Sequence, residues 1–243
     1  MIYTANLNHL LVLDIETVPQ SAHFSQLPDH WKELWKHKMS KIMPENFSDA
    51  DWYTQRAGIQ GEFGKIICIS TGLFYHETDG KLAFRLKSFY ENDEAALLRS
   101  FSKMLDAFKE KRGVLLMAGH NIKEFDIPFI CRRMLINGIV LPEHLQLSSK
   151  KPWETNLVDT MELWKFGDYK NYTSLNLLAS VLGIQTPKDD IDGSMVQEVY
   201  YKENNLPRIV TYCQKDVITV ANIIMRFKNL PLIGEEAIVI SGK

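Results

Sequence analysis

The 243-residue sequence lacks three features that would each assign it to a particular class of protein. Its formal net charge is −2, so no overall positive field is available to neutralise many phosphates, and a polyanion must be bound through local Lys, Arg or metal contacts. Its three cysteines, Cys68, Cys131 and Cys213, have no Cys-x-x-Cys spacing, which is typical of reduced thiols in a cytoplasmic protein. No segment reaches about 18 consecutive apolar residues and the N-terminus lacks a secretory pattern, so we expect a soluble protein without membrane contact.

The sequence does contain enough apolar residues for one full core, since 45% of them are hydrophobic. We expect a single domain over residues 1–243, interrupted by an inserted segment at about residues 18–63. The insert is mostly polar but contains three tryptophans, and residues 29–41 have the spacing of an amphipathic helix.

Hydrophobic periodicity predicts a mixed α/β fold. Three early runs indicate an antiparallel meander, and two later runs indicate parallel strands that are reached through helices. The five predicted strands cover about residues 10–17, 65–75, 82–87, 114–118 and 157–159, with helices flanking the sheet. Residues 238–240 have the composition of a further strand, which the pattern alone does not decide.

Two acids end the first predicted strand. The apolar run that starts at Leu10 and stops at the turn signal Val18-Pro19 is typical of a strand buried on both faces. Side chains alternate across a strand, so Asp14 and Glu16 lie on the same face near its carboxyl end. Two such charges about 4 to 6 Å apart repel by a few kcal/mol unless a proton, a basic partner or a divalent cation offsets them. A strand end where both acids meet solvent is the alternative.

The last predicted helix carries a tyrosine and another acid. Tyr212 and Asp216 are four residues apart, which puts them on one face of a helix with about 5 to 6 Å between their Cβ atoms. Asp216 lies in line with the apolar stripe of this helix, where an acid is costly unless it is paired or binds a metal. An acid at the edge of the stripe, wetted by solvent, is the alternative.

A fourth acid, Asp126, precedes Pro128 at the start of a predicted helix. This order is typical of a helix N-cap followed by a proline in the first turn. A metal-binding role is compatible with a cap, because helices of open α/β sheets begin at the carboxyl edge of the strands, where ligands gather.

Taken in order, these motifs resemble those of the DEDD, or DnaQ-like, superfamily of 3′-to-5′ exonucleases. Residues 13–17 match its first motif, residues 121–126 its second, and residues 212–216 its third in the tyrosine form. A second subclass uses a histidine instead, but no histidine follows His144. Within the superfamily, the motifs are most similar to those of stand-alone exonucleases related to the proofreading domain of family-B DNA polymerases. The resemblance implies a ribonuclease H-like fold.

The resemblance also implies that two divalent cations, Mg²⁺ or Mn²⁺, serve the hydrolysis of phosphodiester bonds. In the family pattern Asp14 bridges both ions, and Glu16 and Asp216 complete the site of the ion that activates water. Asp126 holds the second ion, largely through water. Tyr212 orients the attacking water by its hydroxyl. The implied reaction removes nucleoside 5′-monophosphates from the 3′ end of single-stranded DNA.

Further residues are expected to contact the substrate by the same resemblance. The main chain at Thr17 and Val18 meets the terminal sugar, and Phe125 packs beside the last nucleotide. Asn121 contacts the strand. Lys188 resembles a lysine that approaches the scissile phosphate, and a solvated loop lysine is the alternative. A polar loop contains three aromatic residues, which either stack on unpaired bases or pack against the neighbouring helix. They are Phe166, Tyr169 and Tyr172.

Two other functions remain open at this point. The acids do not distinguish deoxyribose from ribose, so the same chemistry fits a 3′-to-5′ exoribonuclease. The preference for DNA or RNA depends on contacts to the 2′-hydroxyl. A catalytically silent nucleic-acid-binding module of the same fold is the other alternative, and the presence of all four acids and the tyrosine argues against it. The resemblance leaves open a separate polymerase or repair protein as a partner.

Overall fold

The computed structural model describes residues 2–148, 150–151, 154–168, 170, 172–185 and 191–241. A mixed six-stranded sheet forms its centre, with strands β1 Leu10–Pro19, β2 Gly64–His76, β3 Leu82–Tyr90, β4 Leu116–Gly119, β5 Leu157–Asp159 and β6 Ile238–Ile240. The helices are α1 Asp29–Met39, α2 Asp49–Arg56, α3 Glu94–Arg112, α4 Asp126–Ile136, α5 Thr160–Lys165, α6 Leu175–Val181, α7 Val196–Tyr201 and α8 Leu206–Phe227. No helix in this part of the chain is both long and apolar enough to span a bilayer.

The strand order is β5-β4-β1-β2-β3-β6. Strands β1, β2 and β3 pair antiparallel as predicted, and β4 and β5 add in parallel on the side of β1. The predicted count of five strands is wrong, because β6 pairs in parallel with the outer edge of β3. This edge strand has only three residues, mostly exposed, so its sequence carries too little alternation for a prediction.

The two faces of β1 pack against different helices, as the alternation of its side chains requires. On one face, Leu11 and Leu13 join a core that includes Phe101 of α3 and Ile130 of α4. On the other face, Leu10 and Val12 pack against the apolar stripe of α8, which includes Val217, Val220 and Ile224. Each fully buried side chain of this size contributes about 1.5–3 kcal/mol, so the sheet position of β1 and the rotation of α8 are both fixed by packing.

The carboxyl end of β1 differs from the prediction. The strand continues through Val18 and Pro19 instead of turning there, and Pro19 pairs with Gly64 as the last residue of the ladder. A proline is tolerated at this end because little ladder remains for its missing N–H to disrupt. The register shifts between Glu16 and Thr17, where β2 contains one extra residue, and such a bulge re-aims the side chains around it.

The residues between β1 and β2 carry α1 and α2 and pack around a small aromatic core. Trp35 is fully buried and lies edge-on to Tyr53 and to Phe63, with ring centroids 5.1 Å apart in both pairs. The segment closes on itself where the N–H of Gln20 donates to the carbonyl of Phe63 at 2.8 Å. Helix α1 therefore forms where the sequence predicts it, and Trp35 fixes it against the segment's own aromatic residues.

Candidate active site

Strand β1 and helix α8 bring together three groups that could hold a metal ion. One carboxylate oxygen each of Asp14 and Glu16 and the thiol sulfur of Cys213 all lie within 4.8 Å of one another. The alternation of β1 explains this arrangement, since even-numbered residues face α8 and Cys213 belongs to the buried stripe of that helix. The Cys213 thiol donates to Oδ2 of Asp14 at 3.3 Å, with the Asp14 carbonyl 3.5 Å away.

Asp216 and Tyr212 lie on α8 beside this pair of acids. The Tyr212 hydroxyl donates a hydrogen bond to Asp216, as their spacing of one helical turn allows. Burial raises the pKa of Tyr212 well above its ordinary value, and the negative charges of Asp216, Glu16 and Asp14 raise it further. Tyr212 therefore remains a neutral hydrogen-bond donor at neutral pH.

The carboxyl groups of β1 lie close to other acids, and Glu16 is buried while Asp14 is half-buried. Burial raises the pKa of Asp14 well above its ordinary value, and the charges of Asp126, Asp216 and Glu16 add to the effect. The pKa of Glu16, whose residue is only 8% exposed, rises for the same reason. Within the described ranges, no Lys or Arg forms an ion pair with Asp14 or Glu16. A basic partner therefore does not offset the repulsion between these two charges, which leaves a proton or a divalent cation.

Asp126 is the first residue of α4 and is 3% exposed. The expectation that it caps this helix is wrong, because Phe125 occupies the cap position and no side chain caps the helix. Burial raises the pKa of Asp126 to about 7, aided by the charge of Asp159, while the backbone amides of Asp126 and Ile15 oppose the rise. Because its charge also raises the pKa of Asp14, Asp126 belongs to the same electrostatic cluster.

Asp159 supports the loop that carries Asp126, and sequence reasoning missed it. Its Oδ1 accepts from the backbone N–H of Asn121 and of Met161, both at 3.0 Å, and its Oδ2 accepts from the N–H of Lys123 at 3.2 Å. It therefore caps α5 and holds the loop after β4 with one carboxylate. The available signal was an acid at the last position of a predicted strand, directly before a helix.

Asn121 has a backbone φ of 63°, in the left-handed region that asparagine tolerates better than most residues. Its side-chain Oδ1 is buried and finds no hydrogen-bond partner among the described residues. An orphaned buried acceptor is costly unless a ligand or water reaches it. Asn121 therefore combines a constrained backbone with an acceptor that remains available in the loop leading to Asp126.

The other expected substrate residues separate into two groups. Thr17 and Phe125 line a cavity of about 960 Å³ that also reaches Glu16. The Val18 side chain instead packs in a core with Ile67 and other residues, which leaves only its main chain for a ligand. Phe166 and Tyr172 are exposed, and Lys188 and Tyr169 lie outside the described residues.

Comparison of the chain with known proteins identifies its family. A family model described as a predicted 3′-5′ exonuclease related to the exonuclease domain of PolB matches residues 59–231, more than two thirds of the chain. The chain belongs to this exonuclease family. The match includes Asn121, Asp126, Tyr212 and Asp216, whereas β1 with Asp14 and Glu16 precedes it.

A solved structure of the family B DNA polymerase from the hyperthermophilic archaeon Pyrobaculum calidifontis matches this chain with a TM-score of 0.50 at 15% sequence identity. The match covers 87% of the chain but only 23% of the polymerase, so the chain spans about a quarter of that protein's length. At this identity the likeness shows a shared fold. No curated protein matches the chain.

Proposed function

We propose that this exonuclease removes nucleoside 5′-monophosphates one at a time from the 3′ end of single-stranded DNA. The proposal rests on one observation above the others, which is that Asp14 and Glu16 lie close enough to Asp126 and Asp216 for the charges of those acids to raise their pKa values. Such a cluster is unfavourable by itself and becomes favourable when divalent cations bind.

The donor set fits Mg²⁺ or Mn²⁺. The oxygens of Asp14 and Glu16 are close enough to share an ion, and carboxylates are hard ligands suited to these cations. Asp126 and Asp216 act electrostatically on the same pair and would complete the ligands for two ions. When bound, two such ions would supply an activated water and stabilise the negative charge that develops on the phosphate.

The chain's own residues then have separable roles. Asp14 is the central acid, since Asp126, Asp216 and Glu16 all act on it. The Cys213 thiol donates to Oδ2 of Asp14 and so orients that carboxylate. Orientation of a ligand by a neighbouring donor is a common feature of metal sites.

Tyr212 is a positioning group for the attacking water in this proposal. Its raised pKa makes the phenolate inaccessible near neutral pH, so it does not act as a general base. Its hydroxyl has one proton, which it donates to Asp216, and two lone pairs that can accept a hydrogen bond from a water molecule.

Digestion of two 5′-labelled strands of identical sequence, one DNA and one RNA, tests the proposal. With Mg²⁺ or Mn²⁺ we expect the DNA to shorten one nucleotide at a time and to release nucleoside 5′-monophosphates, while EDTA or Asp14→Ala stops the reaction. Digestion of RNA alone would instead identify an exoribonuclease. Binding without digestion of either strand would identify a silent module.

A further inference from the structure

The cavity beside the acid cluster has a wall that comes from the segment between β1 and β2. We define this wall as Thr54 and Gln55 of α2 together with Gly58 and Ile59 of the following 3₁₀ turn. Glu16 and Thr17 line the inner end of the cavity. The wall therefore lies along a space that leads directly to the acids of β1.

The position of this wall is fixed by its own packing. Gly58 approaches β1 so closely that an added Cβ would lie 3.3 Å from the Pro19 ring. Behind the wall, Tyr53 is fully buried against Trp35. The guanidinium of Arg133, on α4, donates to the carbonyl of Gly61 at 3.0 Å. These contacts anchor the segment to the sheet and to α4, so the wall is part of a preformed cavity.

Helix α7 and the residues next to it form a second part of the cavity lining. The Tyr201 hydroxyl donates to the carbonyl of Pro19 at 2.5 Å, and the Gln197 amide reaches the carbonyl of Ala22 at 3.5 Å. These contacts join α7 to the last residue of β1 and to the chain that follows it. Both parts of the lining are therefore held against Pro19, one through Gly58 and the other through Tyr201.

The lining has little net charge to offer a phosphate chain. Among the described lining residues, the one Lys or Arg is Lys202, and its ammonium pairs with Glu198 at 3.0 Å. The wall itself presents an amide, a hydroxyl and a side chain, Ile59, that is 42% exposed. Neutral hydrogen-bonding groups beside apolar surface suit bases and sugars better than phosphates.

The size of the cavity agrees with this chemistry. Its volume of about 960 Å³ lies at the upper end of the range of about 300–1,000 Å³ for small-molecule sites. A terminal nucleotide is a ligand of that class, and a base inside such a cavity is separated from any duplex partner.

We propose that this wall is a specificity surface of the exonuclease that binds the base and sugar of the unpaired 3′-terminal nucleotides. The proposal rests on the proposed function, because it assigns a substrate contact to the same site. Ile59 packs against a base, and Gln55 hydrogen-bonds to a base edge or sugar. The segment between β1 and β2 thereby determines how strongly the strand is held, while the acids determine its hydrolysis.

Ile59→Ser and Gln55→Ala test the proposal, with Ile42→Ser as the matched control. Ile42 belongs to the same segment and is 57% exposed, but it does not line the cavity. We expect Ile59→Ser to raise KM for a short single-stranded DNA about tenfold, as expected for one lost base contact, with kcat unchanged. Gln55→Ala is expected to raise KM about threefold, and Ile42→Ser to behave as wild type.

Two further measurements identify the nature of the contact. Fluorescence anisotropy in EDTA should show the same ratio of Kd between wild type and Ile59→Ser, since a base contact does not need the metal. The slope of log Kd against log salt should not change, because no phosphate contact is lost. A shallower slope in Ile59→Ser, or equal effects of Ile59→Ser and Ile42→Ser, would overturn the proposal.

Bis(4-nitrophenyl) phosphate, a phosphodiester without base or sugar, separates the two proposals. We expect wild type and both wall variants to hydrolyse it equally with Mn²⁺. No hydrolysis of this ester or of DNA by wild type would reject the proposed function. Normal hydrolysis with unchanged DNA binding in the wall variants would reject the specificity surface alone.

Discussion

Two buried glutamates in this molecule, Glu94 and Glu16, differ in whether their carboxylates have partners. Glu94, at the start of α3, receives hydrogen bonds from the Arg133 guanidinium at 2.9 and 2.6 Å, from the N–H of Ile66 and from the Asn137 amide. Glu16 is buried to a similar degree, but among the described residues its carboxylate has neither a basic partner nor a hydrogen-bond donor.

The difference separates a site with a structural role from the site to which we assign the proposed function. A buried charge that is paired and fully hydrogen-bonded holds elements together, and Glu94 connects α3, β2 and α4 in this way. A buried acid without such partners is a cost to the fold, and its pKa rises accordingly. The chain tolerates that cost at the edge of β1, where a cation would remove it.

Glu16→Gln is expected to have the largest effect on activity. Removing one acid of the cluster should lower kcat for single-stranded DNA by about 1,000-fold, equivalent to about 4 kcal/mol of transition-state stabilisation. The same change should raise the melting temperature in EDTA at pH 8, because it removes a buried like charge. A melting temperature below that of wild type would contradict the interpretation of Glu16 as an uncompensated acid.

Glu94→Gln is the matched substitution at the structural site. It leaves the Arg133 guanidinium buried without its counter-charge, a change that typically costs about 3–5 kcal/mol. For a chain of this size we expect a loss of about 10 °C in melting temperature, with kcat on DNA within about threefold of wild type. Equal melting temperatures for Glu94→Gln and wild type would remove the contrast between the two sites.

The pH dependence of stability tests the acid cluster through Asp126. The pKa of Asp126 is about 7 in the folded protein and about 4 when unfolded, so the folded state holds its proton more tightly. In EDTA, stability is therefore expected to fall by about 2 to 4 kcal/mol as pH rises from about 4 through 7. Mn²⁺ should restore it at pH 8 by replacing the proton. Thermal melts across this range, with and without Mn²⁺, measure both effects.

The sequence predicted the acid cluster better than its surroundings. Asp14 and Glu16 follow from strand alternation, and Tyr212 and Asp216 from helical spacing, so each pair depends on local periodicity. Asp159 braces the Asp126 loop from 33 residues further along the chain, and no local pattern specifies that contact.

The same reasoning explains the errors in the fold. The shift after Glu16 and the extension of β1 to Pro19 depend on an extra residue in β2, which only the paired strands reveal. The sixth strand, β6, is defined by its pairing with β3. The wall that Ile59 contributes to the cavity could not be predicted, because it requires the segment between β1 and β2 to fold back beside the acids.

Tyr212→Phe should give the smallest change in free energy among these variants. It tests a residue that belongs both to the acid cluster and to the packed core. The tyrosine hydroxyl touches Asp216 but its ring packs with the apolar residues around α7, so it takes part in both function and structure. Removing only the hydroxyl keeps the ring in place and is expected to lower kcat about 10- to 100-fold, with KM and melting temperature nearly unchanged.

A metal titration gives the control for this variant. If the hydroxyl positions water and binds no metal, the Mn²⁺ concentration that gives half-maximal activity should be the same in Tyr212→Phe and in wild type. A weaker apparent affinity for Mn²⁺ would instead mean that the hydrogen bond to Asp216 organises the ligands. Unchanged kcat would exclude Tyr212 from the reaction and leave the four acids as the whole of the chemistry at this edge of the sheet.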